Sequence, residues 1–292
     1  MRFTEIGQQL RAYRLESGLR AEEIAARLGV SRAALYRYEK GEVIKLDTVN
    51  RLAELLKISP LSLLGIGVEY YNRPIGFFER LRQVEETADQ ILQVAMPLNY
   101  LVSSDELDAV EGDIFREAAN EAGADRTSAQ AVCDQVQNIL SERKRMYRMR
   151  RPAIIAMLSL GAVERSVQQG IGQGLVRSEA LRYRARMVAR AEVENIANLM
   201  ESEPMGLQFG LISSGEVSGQ FQILRARDRA TLAINPFRSD SIPFQQVGVA
   251  MITGADEAVA AHQRVAETMW REAIKGPTAA QKLRELLAAH PL

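Results

Sequence analysis

Apolar and polar positions along the first third of the chain fall into helical spacing. Ile6, Leu10, Tyr13 and Leu15 share one face, and Gly18 stands where a helix stops, which predicts a first helix. AEEIAARLG predicts a second, with Ile24, Ala25 and Leu28 inward and Gly29 closing it. The turn Gly29-Val30-Ser31 leads into a third, for which Ser31 supplies an N-cap hydroxyl. In that helix Ala34, Leu35 and Tyr38 point inward, leaving Arg32, Ala33, Tyr36 and Arg37 outward. LDTVNRLAELLKIS and PLSLLG predict two more helices, completing an all-α five-helix unit that ends near Gly67.

Further along, Phe77, Leu81, Val84, Ala88, Ile91, Ala95 and Leu98 are spaced 4, 3, 4, 3, 4, 3, a heptad seam that predicts one long helix. It suits pairing with a second subunit or packing on the chain's own body, since Phe78 and Leu92 widen the stripe. After Pro152 the pattern changes. AIIAMLS, GLQFGLIS, GQFQILRAR, ATLAINPF and VGVAMIT read as strands, set among helices near 178–201, 255–276 and 278–290. The expectation is an α+β domain with a small sheet covered by helices. The chain thus divides into a helix-turn-helix domain (1–67), a helical linker or dimerisation region (68–151) and an α+β regulatory or sensor domain (152–292).

Two short helices joined by a tight glycine turn form a helix-turn-helix, whose second helix can lie in the major groove. The residues suit that task. Arginine presents a planar fork of donors to guanine O6 and N7, alanine can touch a thymine methyl, and tyrosine can meet a phosphate or a base edge. On LRAYRLESGL, IAARLGVSRAALYRYEKG and LDTVNRLAELLKISPLSLLG the segment from Ile6 to Gly65 resembles the Cro/cI-type (XRE) helix-turn-helix domains. That resemblance implies a transcriptional regulator bound to double-stranded DNA, with Arg32, Ala33, Tyr36 and Arg37 reading bases. It also implies an ion pair between Arg14 and Glu39 that registers the first helix against the third. Arg11, Arg20, Ser31, Lys40, Lys45 and Arg51 are the candidate phosphate contacts. One departure is the Arg20-Ala21 pair, where such domains carry Ser or Thr followed by Gln. From about Ala131 to Leu287 the order of segments is similar, weakly, to a C-terminal domain of uncharacterised function found beside such modules in actinomycete regulators. It implies a regulatory or partner-sensing domain, for which a small-molecule or small-protein effector is the expected ligand; pairing of the heptad helix with a second subunit would give a homodimer on a palindromic operator.

Composition changes this picture little. The 292 residues are 47% hydrophobic and 25% charged with zero net charge, as expected of a globular chain. Charge is unevenly spread, with eleven Lys and Arg against eight Asp and Glu up to Ile66. The longest apolar run, Pro152 to Val163, is too short to span a bilayer, so a cytoplasmic protein is expected. With Cys133 alone and histidines only at 262 and 290, neither a metal, a cofactor nor a His-based catalytic triad is expected, and no enzyme activity. The glycines of QQGIGQGL lack a preceding strand and read as a connector, and Ser213 to Gly215 fails the nucleophile-elbow pattern. The basic run from Glu142 to Arg151 suits a partner for the acidic segment near 103–125 better than a nucleic-acid contact, with an anion site a further option. Two alternatives to a regulator stay open: an antitoxin-like protein binding another polypeptide, and a DNA-targeted enzyme.

Overall fold

The computed structural model describes residues 3–172, 176–212, 219–238 and 241–292. Five helices come first: α1 (Phe3–Ser17), α2 (Ala21–Leu28), α3 (Arg32–Glu39), α4 (Leu46–Leu56) and α5 (Pro60–Leu63). Local chemistry sets their ends. Gly29 takes a left-handed φ of 71°, which lets the chain leave α2 and enter α3 within three residues. The Ser31 and Ser59 hydroxyls each accept a backbone N–H in the first turn of the helix that follows, and Pro60 supplies a preset φ at the start of α5. Leu10, Ile24, Leu35, Leu52 and Leu63 are completely buried between these helices.

The rest is built on one mixed sheet. In chain order come β1 (Val68–Tyr71), α6 (Pro74–Glu85), β2 (Gln90–Met96), α7 (Asp105–Asn120), α8 (Arg126–Arg150), β3 (Ala153–Ser159), α9 (Leu160–Gln169) and α10 (Glu179–Ser202). There follow β4 (Leu207–Ile212), β5 (Phe221–Arg225), β6 (Ala230–Ile234), β7 (Ala250–Thr253), α11 (Asp256–Glu272), β8 (Ile274–Lys275) and α12 (Gly276–Ala289). The described strands lie in the order β1-β7-β6-β5-β2-β3-β4-β8. β2, β3 and β4 are mutually parallel and linked by helical crossovers, while the other neighbours are antiparallel. Alternate residues serve opposite faces. Ile91, Ile154, Ala156, Leu158 and Leu224 join the large core under α6, α7, α8 and α10, whereas Leu92, Val94, Met157, Phe221, Ile223 and Leu232 meet Val259 and Ala266 of α11.

The long heptad helix is not formed, and the helical reading of 68–151 is corrected accordingly. The helix ends at Glu85, and Ile91 and Ala95 lie in β2, where Ile91 pairs with Ile154 on one side and Leu224 on the other. A strand buried on both faces is apolar at nearly every position, so it satisfies a 4-3 spacing as readily as a helix does. β1 and β2 thereby join the sheet made by strands after Pro152, and the border at 151 does not divide the packing. The basic run at the end of α8 is bound internally. Arg143 pairs with Glu85 at 2.8 Å, Lys144 with Asp108 at 2.8 Å and with the Ser104 carbonyl at 2.9 Å, and Arg148 with Asp105. Of the QQGIGQGL glycines, Gly170 and Gly172 have φ of 78° and 80°, and a Cβ on Gly170 would lie 2.8 Å from the Arg186 nitrogen. Gly170 and Ile171 are packed against α10, with Ile171 buried, rather than part of a free connector. Gly174 and Ser213 to Gly215 lie outside the described residues.

Cys133, on α8, is buried, and burial first, then the neighbouring Asp134 charge, pushes its thiol up to about 12. The folded state therefore holds the neutral thiol. Stability from this group is complete below the free thiol's pKa of roughly 8.5 and declines as pH rises toward 12. At pH 8, modification of Cys133 by a thiol reagent is expected to follow the rate of unfolding, measured with and without urea. Reaction as fast as a free thiol would contradict this packing.

Candidate nucleic-acid interface

The five-helix unit is seated on the sheet by buried polar contacts. Glu69 of β1 accepts from Gln9 Nε2 at 2.6 Å, from the Tyr71 hydroxyl at 2.7 Å and from two nitrogens of Arg80 at 2.9 and 3.1 Å. Glu79, 1% exposed, meets Arg11 at 2.8 Å and Arg82 at 3.0 Å. Glu16 accepts the backbone N–H groups of Asn72 and Arg73 at 2.6 and 3.0 Å, next to the start of α6. Tyr13 stacks on Tyr71 with ring centroids 5.3 Å apart. The buried charges of Glu69 and Glu79 are tolerated because each has an arginine partner and further hydrogen bonds. The border at 67 therefore separates segments of chain and is bridged by packing.

Inside the unit, Arg14 and Glu39 form a two-pronged pair at 2.5 and 3.1 Å. Burial acts to lower the pKa of the Arg14 guanidinium, but Glu39 outweighs it and holds the group above its ordinary value. α1 lies very close to the end of α3: a Cβ on Gly7 would come within 2.5 Å of the Tyr38 carbonyl oxygen. The ion pair and this close approach fix the attitude of α3 against α1.

The outer face of α3 is open. Arg32 and Arg37 are each 59% exposed at the side chain, Ala33 is exposed and Tyr36 is half-buried. Ala34 and Leu35 are buried and Tyr38 is half-buried on the opposite side. The Arg32 guanidinium lies over the Tyr36 ring at 5.3 Å, donates to the Tyr36 hydroxyl at 3.3 Å and pairs with Glu22 of α2 at 2.7 Å. Arg37 pairs with Glu42, just beyond α3, at 2.6 Å. Residues 5–63 match the family model described as a helix-turn-helix domain. The match covers α1 to α5, so the chain carries such a domain at its N-terminal end. Comparison with curated proteins gave no match. Among solved structures the chain is similar to TrmBL2, an archaeal chromatin protein whose structure is described as showing a novel mode of DNA binding. The identity is 10% and the TM-score 0.33, over 78% of this chain and 60% of that one.

The remaining candidate residues are placed as follows. Ser31 spends its hydroxyl on the Ala34 N–H at 3.1 Å. Arg20 is exposed at the start of α2, and its backbone N–H donates to Glu23 Oε2 at 2.8 Å; Glu23 thus supplies part of the cap that the Arg20 side chain cannot. Lys40 and Lys45 are exposed at the end of α3 and the start of α4. Arg51 is exposed and donates to the Arg27 carbonyl at the end of α2, at 3.3 Å. Arg11, 51% exposed at the side chain, pairs at 2.8 Å with buried Glu79 and so also links α1 to α6. Reading the sequence missed Glu22, Glu42 and Glu79 as partners of arginines. Glu42 carried a local signal, standing five residues after Arg37 across the Gly41 turn, and so did Glu79, three residues before Arg82 on α6.

Proposed function

We propose that this protein is a sequence-specific, double-stranded-DNA-binding transcriptional regulator of the XRE type, with α3 entering the major groove. One observation carries the reading: the second helix of a family-matched helix-turn-helix presents Arg32, Ala33 and Arg37 as exposed side chains, with Tyr36 half-buried beside them. Arg37 and Arg32 fork onto guanine edges, and Ala33 and Tyr36 supply shape and contact. Ser31 caps one free N–H of α3, leaving those of Arg32 and Ala33 for a phosphate oxygen at the positive end of the helix. Lys40, Lys45, Arg20 and Arg51 set register on the backbone and make affinity salt-dependent. The sheet domain holds the unit rigidly, receives an effector and supports a homodimer on a palindromic operator, in the cytoplasm. The reading assigns the chain no reaction of its own.

Selection of bound duplexes from a random DNA pool tests this. A recurrent motif with two inverted half-sites is the expected outcome. A pool that remains random after several rounds, with binding set by salt alone, would overturn sequence-specific reading.

A further inference from the structure

We infer that Glu22 and Glu42 are built-in competitors for the reading arginines, so that the free protein holds both arginines paired and binding must first displace two carboxylates. The inference rests on the proposed role of α3. Each carboxylate sits on one arginine: Glu22 Oε1 is 2.7 Å from Arg32 Nη1, and Glu42 Oε2 is 2.6 Å from Arg37 Nε. The two glutamates come from different segments, one from α2 and one from the turn after α3, and between them they occupy both reading forks. A carboxylate offers the guanidinium the same acceptor geometry as a phosphate, and guanine O6 and N7 offer two acceptors in a similar arrangement. All four side chains are about half exposed, so each pair is weak and can open. Arg32 is further held by the Tyr36 ring and hydroxyl, which keeps its fork extended along the helix face as the carboxylate leaves.

Two consequences follow. Each pair subtracts its own strength from every binding mode that uses its arginine, and freeing the arginine returns one unpaired positive charge to the face that meets the phosphates. Removing one should therefore tighten binding and steepen its salt dependence.

The experiment titrates the selected duplex, and a scrambled duplex of equal length, with the full chain at several salt concentrations. Glu22→Gln and Glu42→Gln are each expected to tighten binding to the selected duplex by about 2- to 5-fold. The slope of log K against log salt should steepen by up to roughly 0.9 for each glutamate removed. The gain must be pairwise: Glu42→Gln should do nothing in an Arg37→Ala background, and Glu22→Gln nothing in an Arg32→Ala background. Glu257→Gln, an equal charge change in the first turn of α11, should leave binding unchanged. Unchanged or weaker binding by the Gln variants overturns the inference, weaker binding meaning that the glutamates contact bases themselves. A gain that survives removal of the arginine, or that Glu257→Gln reproduces, overturns it as well, because the effect is then one of overall charge. If the wild-type chain binds no duplex, the role of α3 fails first; if it binds and the Gln variants match it, only the competition fails.

Discussion

Replacing Arg32 and Arg37 together by Ala is expected to weaken binding to the selected operator by about 2 to 6 kcal/mol, the sum of two guanine contacts worth about 1 to 3 kcal/mol each. In affinity this is a loss of roughly 30-fold to more than 10,000-fold. Folding should hardly change, because both side chains are more than half exposed and their partners Glu22 and Glu42 are exposed too. Surface changes of this kind stay within about 0.5 kcal/mol. Fluorescence anisotropy with labelled duplex measures the first quantity and urea unfolding the second. Equal losses on selected and scrambled duplexes would assign the arginines to phosphates instead of bases.

Replacing Glu85 by Ala is expected to destabilise the folded chain by about 3 to 5 kcal/mol. Arg143 is 4% exposed at the side chain, donates to both Glu85 oxygens at 2.8 Å and lies over the Phe78 and Tyr100 rings at 5.6 and 5.9 Å. Glu85 is 7% exposed and ends α6, so the pair ties α6 to α8 beneath the sheet. Without the carboxylate a guanidinium stays in a site that water does not reach. Removing both charges together, as Glu85→Leu with Arg143→Met, should cost much less than Glu85→Ala alone, because it leaves no charge uncompensated. Urea unfolding of the three proteins decides this, and a double variant as unstable as Glu85→Ala would show that packing, not charge, sets the cost.

The contrast between these two sites explains what the sequence made legible. α2, the turn and α3 could be read because their signals are local: a left-handed glycine at 29, a capping serine at 31 and apolar residues three and four apart. The strands after Pro152 were legible for the same reason, through alternation and turn residues. The region around β2 was not. QILQVAM is buried on both faces, and once alternation is lost its apolar residues continue the spacing of α6. Pairings distant in sequence were equally hidden. Arg11 and Glu79 are brought together only when α1 packs on α6, and Arg143 and Glu85 only when α8 crosses the same helix.

The most direct test of the account asks whether α3 touches base edges. The selected duplex is resynthesised with 7-deazaguanine at each guanine in turn, which deletes the major-groove N7 acceptor and leaves base pairing intact. The account predicts at least one guanine whose substitution weakens wild-type binding by about 1 to 3 kcal/mol and has no effect on Arg37→Ala. If every substituted duplex binds the wild type as tightly as the parent, or if Arg37→Ala suffers the same losses as the wild type, α3 does not read the groove through Arg37 and the account is contradicted.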